Sequence, residues 1–264
     1  LQEIGQISGT NVNDRGFPDG SMGVQVFDYN LDGLPDLWIT DFEEEYPALF
    51  RNLGNGLFRH VSRATGVAAL GGMYVGWGTV AADFDHDGDE DLFVANGHVL
   101  RHPRKASVQQ RALVIENLGG ERFINATSAA GAALQVERLG RGLVSADFDM
   151  DGDVDVALSS INEPVAILAN ETVADGNWLS IRLVGRASNR DAVGAVLTLE
   201  TPAANQVRQI VGGGSYASTC DRTVHFGWSG SPEPVRLEVR WPSGRIQKYD
   251  QLSSRRRHLL IEAE

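Results

Sequence analysis

Apolar positions in this chain come in short bursts, not long stripes. Val24–Phe27, Leu37–Ile39, Val80–Ala82, Leu92–Val94 and Val156–Leu158 are brief runs closed off by Gly, Asp or other polar residues. Such runs predict strands, because an amphipathic helix needs apolar residues every three or four positions over about ten residues. Third strands are predicted to end near Asn52 and Asn117. Asn55-Gly56 and Gly119-Gly120 then predict tight turns into fourth strands at Phe58 and Phe123. Beyond Trp178 the alternation resumes. Leu179–Leu183, Val193–Leu199, Val207–Val211, Val224–Phe226, Val235–Val239 and Leu259–Ile261 predict six strands in a small antiparallel β-sandwich or barrel.

The strand groups repeat. GVQVFDYNLDGLPDLWIT from Gly23, GTVAADFDHDGDEDLFVA from Gly78 and GLVSADFDMDGDVDVALS from Gly142 align without gaps. In each, a Gly stands five residues before the first Asp. A second element repeats as FRNLGNGLFRHVSRATG from Phe50 and IENLGGERFINATSAAG from Ile115, and fades in the third unit at Asn170. Residues 96–111 read as a loop inserted in the second unit. Four short strands per unit of about sixty residues is the layout of a β-propeller blade. The fold class is therefore all-β. About three blades over residues 1–170 and a linker at 171–176 precede the small β unit at 177–264.

Between the first and second strands of each unit lies an acidic loop, D-x-[DN]-x-D-G-x-x-D. Oxygens at positions 1, 3 and 5 can converge on a hard cation, Gly at 6 permits a sharp turn, a carbonyl at 7 adds a ligand, and Asp at 9 closes the set. The first loop offers Asp28, Asn30, Asp32, the carbonyl of Leu34, and Asp36. The second offers Asp83, Asp85, Asp87, the carbonyl of Asp89, and Asp91. The third offers Asp147, Asp149, Asp151, the carbonyl of Asp153, and Asp155. An all-oxygen set suits Ca²⁺ rather than zinc or copper, which favour nitrogen and sulfur. Up to three Ca²⁺ are expected. An EF-hand is excluded: its bidentate Glu at position 12 is replaced by Ile39, Val94 and Leu158. A single loop of this kind could be an acidic turn that binds nothing. Three in register argue otherwise, because so many adjacent carboxylates repel without a cation.

The pattern G-x₄-D-x-D-x-D-G-x-x-D, followed by a strand and an N-x-G-x-G-x-F turn, resembles the FG-GAP (VCBS-type) repeats of integrin-like β-propellers. NWLSIRLVG from Asn177, SNRDAVGA from Ser188, VGGGSYAST from Val211, VHFGW from Val224 and VRWPSG from Val239 resemble the ASPIC/UnbV domain of cartilage-acidic-protein-like proteins. The resemblance implies a closed propeller with more blades than the three visible. Upstream blades or a partner chain are thus expected at the open edge near residues 1–20.

Charge adds one exclusion. With 35 Asp+Glu against 23 Lys+Arg, the net charge is −12, unfavourable for binding phosphate backbones, so no nucleic-acid partner is expected. Eleven of those carboxylates sit among the expected cation ligands, so the acidity says little about a partner. The one cysteine, Cys220, excludes a disulfide framework and a Cys-based zinc site. The long uncharged stretch 64–82 is glycine-rich and predicts no transmembrane segment.

Other candidates read as structural. Gly212-Gly213-Gly214-Ser215 lacks the Lys of a phosphate loop and reads as a bulge or close backbone contact. Asn189-Arg190-Asp191 reads as a turn, and Arg255–His258 as a basic surface tip. His98 and His102 have helical metal spacing, but Gly97 and Pro103 flank them and favour a loop. There is no nucleophile elbow or zincin motif. The expected function is a non-catalytic, Ca²⁺-stabilised recognition module for a protein or glycan. It would act outside the cytoplasm (periplasmic, cell-surface or secreted), alone or as an accessory subunit. The competing reading is an enzyme of the cyclase or hydratase kind, acting at the propeller's pore.

Overall fold

The structure, a computed structural model, describes residues 1–103, 105–172, 176–201, 204–232 and 235–264. Of the expected linker, residues 173–175 lie outside the described residues. The first sheet is β1 (Val24–Phe27), β2 (Asp36–Ile39), β3 (Ala48–Asn52) and β4 (Phe58–His60), in that order. The second is β5 (Gly76–Ala82), β6 (Asp91–Asn96), β7 (Leu113–Leu118) and β8 (Arg122–Asn125). The third is β9 (Gly140–Ala146), β10 (Asp155–Ser160) and β11 (Ala166–Leu168). Then follow β12 (Asn177–Val184), β13 (Val196–Glu200), β14 (Asn205–Gln209), β15 (Val224–Trp228), β16 (Val235–Arg240), β17 (Ile246–Leu252) and β18 (Arg256–Ile261). They form two sheets, β15-β12-β18 and β14-β13-β16-β17. Helix is limited to Gly5–Ser8 and two 3₁₀ turns among the described residues, and no helix there is long and apolar enough to cross a membrane.

The first three sheets stack face to face, as propeller blades do. Trp38 and Leu49 of the first sheet meet Leu92, Leu113 and Ile115 of the second in one buried cluster. Trp38 Nε1 also donates to Thr79 Oγ1 at 3.0 Å, so the indole is both packed and satisfied. Val80, Phe93 and Ala95 meet Leu143, Val156 and Leu158 in a second cluster. At the shared inner edge β1, β5 and β9 run side by side.

That closeness explains the Gly ahead of each acidic loop. A Cβ on Gly23 would strike the Trp77 carbonyl. One on Gly78 would lie 2.6 Å from both Arg141 O and Leu143 N. One on Gly142 would lie 2.7 Å from Ser218 Oγ, which belongs to the chain between β14 and β15. Each unit's Gly therefore abuts the next unit, and after the third unit the C-terminal chain takes that place.

The expectation of about three blades and a separate small antiparallel unit needs correction. The described residues form five sheets, and the last two are not separate. They share one core, built from Leu179, Ile181, Leu197, Leu199, Phe226, Leu237 and Trp241, and they sit directly on the acidic loops. Nor are they wholly antiparallel, because β12 pairs with β18 in parallel, Leu179 opposite Arg256 through Val184 opposite Ile261. The seventh strand, β17, is missing from the sequence reading because IQKYDQL is an edge strand with polar residues on both faces.

Candidate metal centre

All three acidic loops fold alike. Position 4 is left-handed in each, at Leu31 (φ 55°), His86 (φ 61°) and Met150 (φ 65°). Position 6 is left-handed as well, at Gly33 (φ 84°), Gly88 (φ 109°) and Gly152 (φ 107°), where glycine avoids the Cβ cost. Side-chain oxygens cap successive amides. Asp87 N donates to Asp85 Oδ1 at 3.2 Å and Asp89 N to Asp87 Oδ1 at 3.0 Å. In the third loop Asp151 N donates to Asp149 Oδ1 at 3.3 Å and Asp153 N to Asp151 Oδ1 at 2.9 Å. In the first loop Leu34 N donates to Asp32 Oδ1 at 3.0 Å, and Gly33 N to Asp28 Oδ2 at 2.8 Å.

This turn gathers the carboxylates. Asp83, Asp85 and Asp87 each offer an oxygen within 4.8 Å of the others, as do Asp147, Asp149 and Asp151. These two acidic clusters have the donor set for a metal ion. Their oxygens are also short of partners: Asp83 Oδ1 and both carboxylate oxygens of Asp147 are buried without a hydrogen bond. Burial raises the Asp147 pKa, and the nearby amides of Met150 and Gly152 only partly oppose that rise. A buried, unpartnered carboxylate is costly, and a hard cation is its natural complement. The first loop differs. Asn30 replaces an Asp, and Arg51 pairs with Asp32 at 3.0 Å, so its negative charge is lower.

Position 9 is placed differently from positions 1, 3 and 5. Asp36 accepts from the amides of Tyr29 at 3.2 Å and Asn52 at 2.6 Å. Asp155 accepts from Phe148 and Asn170, both at 2.8 Å, and Asp91 from Asn117 at 2.8 Å. These aspartates pin the loop to the third strand or, for Asp155, to the residues just after it. Of the position-7 residues expected as carbonyl ligands, the Asp89 side chain accepts from Gly119 N at 2.7 Å, and Asp153 Oδ1 lies 3.4 Å from His86 Nε2.

Burial governs the electrostatics. Desolvation pushes Asp83 up to about 8, with Asp87 and Asp85 adding to the rise and Arg208 opposing it. Desolvation likewise lifts Asp91 to about 9, Asp36 and Asp89 to about 7, and Asp153 to about 6.

The sequence reading missed the role of three asparagines. Asn117 Nδ2 donates to Tyr29 O at 2.9 Å, and Asn170 Nδ2 to Phe84 O at 2.8 Å. Each thus grips position 2 of the preceding unit's acidic loop. Asn52 grips its own unit instead, at Pro35 O. Their recurrence at one place in the repeat was the available signal.

The C-terminal sheets complete the surroundings. Ser215, from the GGGS run, ties together the first strands of all three blade-like sheets. Its N donates to Val24 O at 3.0 Å, its Oγ accepts from Thr79 N at 2.9 Å, and its Oγ donates to Leu143 O at 2.9 Å. The close-contact expectation for this run is met, and the contact is across units. Behind it lies a cavity of about 410 Å³ between β1, β5 and β9 and the C-terminal sheets. It is lined by Gln25, Glu90, Arg208, Cys220 and His225. Glu90 is buried beside Arg208 at 3.3 Å, and burial raises its pKa.

The remaining candidates are structural. His98 is buried, accepts from Leu100 N at 2.9 Å through Nδ1 and faces Glu43 at 3.4 Å; His102 is exposed, and the two share no site. Asn189 clasps Val193 through both main-chain groups, and Asp191 pairs with Arg222 at 2.9 Å.

Comparison with known families agrees with this arrangement. Residues 28–94 match the FG-GAP-like repeat, and residues 185–264 match the ASPIC and UnbV family. This chain carries an FG-GAP-like repeat and a C-terminal ASPIC/UnbV domain. The FG-GAP match covers the first two acidic loops; the third stands outside it, on the same loop geometry. The ASPIC/UnbV match takes in Ser215 and the β14 and β15 strands that face the second loop, while β12, with Trp178 against the third loop, precedes it. Curated relatives include cartilage acidic protein 1 of Mus musculus, Homo sapiens and Xenopus tropicalis, each 29% identical over 229 residues. The match covers 85% of this chain and 33–34% of the relatives, so the chain spans about a third of their length.

Proposed function

We propose that this chain is a Ca²⁺-stabilised scaffold for non-catalytic recognition outside the cytoplasm, with a protein or glycan as its partner. The observation that carries the reading is the pair of acidic clusters with buried, unpartnered oxygens at Asp83 and Asp147. Loops of this charge suit the calcium levels met outside cells. The relatives' name, cartilage acidic protein, points the same way, since cartilage is largely extracellular matrix. Asp28, Asn30, Asp32 and the carbonyl of Leu34 would hold an ion in the first loop. Asp83, Asp85, Asp87 and the carbonyl of Asp89 would do so in the second, and Asp147, Asp149, Asp151 and the carbonyl of Asp153 in the third. Asp36, Asp91 and Asp155 brace the three sites from behind, with a share of the ligation. The first three sheets then form the propeller arc, and the last two act as one unit seated on its loop face.

The cavity beside Glu90 favours a second reading, an enzyme with a buried acid near the axis. The Ser215 crossing, which spans the first strands of all three blade-like sheets beside that cavity, weighs against it. The two part in one experiment. Binding to immobilised glycans and matrix proteins at about 1 mM Ca²⁺ is expected to disappear in EGTA and to survive Glu90→Gln. Binding that ignores EGTA, or that needs Glu90, would overturn the recognition reading.

A further inference from the structure

The position-6 glycine of every acidic loop faces the C-terminal sheets. Gly33 lies against Val207, where an added Cβ would sit 3.9 Å from Cγ2. Gly88 lies against Gln206 and Gly227, whose amide nitrogen and carbonyl would be 3.0 and 3.3 Å from such a Cβ. Gly152 lies against the indole of Trp178, which leaves no room for a Cβ. The contact is also made from the other side. A Cβ on Gly227 would strike Asp83 Oδ2 and come within 2.6 Å of His86 Cα, and one on Gly176 would meet His86 Cβ at 2.6 Å. Gln206 Nε2 donates to Gly227 O at 2.6 Å, fixing β14 to β15 directly above the second loop. His86 in turn lies 3.4 Å from Asp153, joining the second loop to the third.

We infer that the acidic loops are a cation-dependent clamp: a divalent cation in the second and third loops holds the C-terminal unit against the propeller arc, and its removal releases that unit. The inference rests on the proposed cation sites. Its own basis is where the glycines sit. Position 6 lies between ligand positions 5 and 7, so whatever fixes the ligands fixes the surface on which Trp178, Gln206 and Gly227 rest. Asp83 makes the link shortest, because one carboxylate is both a candidate ligand and the contact for Gly227. Without a cation, nothing bridges Asp83, Asp85 and Asp87, and the turn that presents Gly88 loosens. Linkage makes the effect reciprocal: if the cation tightens docking by some factor, docking tightens cation binding by the same factor.

Cys220, the only cysteine, lines the cavity between the two parts and reports on docking. Maleimide labelling of Cys220 in the wild-type chain should be slow at saturating Ca²⁺. It should quicken by about tenfold or more on chelation. Trp178→Ala removes a docking contact and touches no ligand. It should label fast even in Ca²⁺ and bind Ca²⁺ about tenfold more weakly, while Trp178→Phe restores both. Should Trp178→Ala not fold, hydrogen exchange of wild-type Val224–Trp228 amides with and without Ca²⁺ decides the matter. Calorimetric Ca²⁺ binding on the same samples separates the failures. Clear binding with unchanged labelling and exchange overturns the clamp and spares the cation sites. No binding overturns both.

Discussion

Chelation is expected to lower the melting temperature of this chain, and to do so by more at pH 8 than at pH 5.5. Each Ca²⁺ site held near 100 times its Kd adds about 2.7 kcal/mol to the folded state. Two such sites correspond to a shift of roughly 10 °C or more for a chain of this size. The pH dependence follows from the raised carboxylates. Without metal, Asp83 titrates at about 8 and Asp91 at about 9, against an unfolded value near 3.8. The metal-free folded state therefore holds more protons than the unfolded state between those values. Its stability is full below the unfolded pKa and falls as pH rises through the folded one. Calcium takes the place of those protons, so its removal is felt most where they are absent. Differential scanning fluorimetry at both pH values, with CaCl₂ or EGTA, checks this. Equal shifts at the two pH values would show that the buried carboxylates do not set the effect. Asp83→Ala and Asp147→Ala should each remove part of the calcium-dependent shift.

The second large effect is expected at Gly78. An alanine there would place its Cβ 2.6 Å from Arg141 O and Leu143 N and 2.8 Å from Leu143 Cβ. Two of these three are main-chain atoms of β9, which cannot rotate away as a flexible side chain would. Overpacking of this kind costs about 3 kcal/mol, enough to threaten a fold of ordinary stability. Gly213→Ala is the control, because nothing lies within 4 Å of its added Cβ. It should change stability by no more than about 0.5 kcal/mol. Urea midpoints for the two variants measure the contrast. A Gly78→Ala midpoint equal to that of Gly213→Ala would mean that β5 and β9 are not held at this spacing.

Much of the acidic loop was legible in the sequence because its chemistry is local. Nine consecutive residues specify the turn, the glycine and the converging oxygens. The first strands were legible for the same reason, since Leu37–Ile39 and Leu92–Val94 carry their own punctuation. What escaped depends on partners far along the chain. Asn117 and Asn170 serve the loop of the unit before them. Gly142 is spared a side chain because Ser218 lies against it. The parallel pairing of β12 with β18 leaves no mark on either strand, because alternation fixes which face is buried and not which way the neighbour runs. Position 9 was the subtler case. Asp36, Asp91 and Asp155 fit a ligand pattern, yet the fold also uses them as acceptors for amides in or just after the third strand. A sequence motif does not separate those two uses.

Equilibrium Ca²⁺ binding to the chelator-stripped chain tests most directly whether these loops bind calcium. Two tight sites are expected, one abolished by Asp83→Ala and the other by Asp147→Ala. A weaker third site should belong to the first loop, where Asn30 and Arg51 reduce the negative charge. Absence of saturable binding up to millimolar Ca²⁺, or sites that persist unchanged in both variants, would contradict calcium binding by these loops.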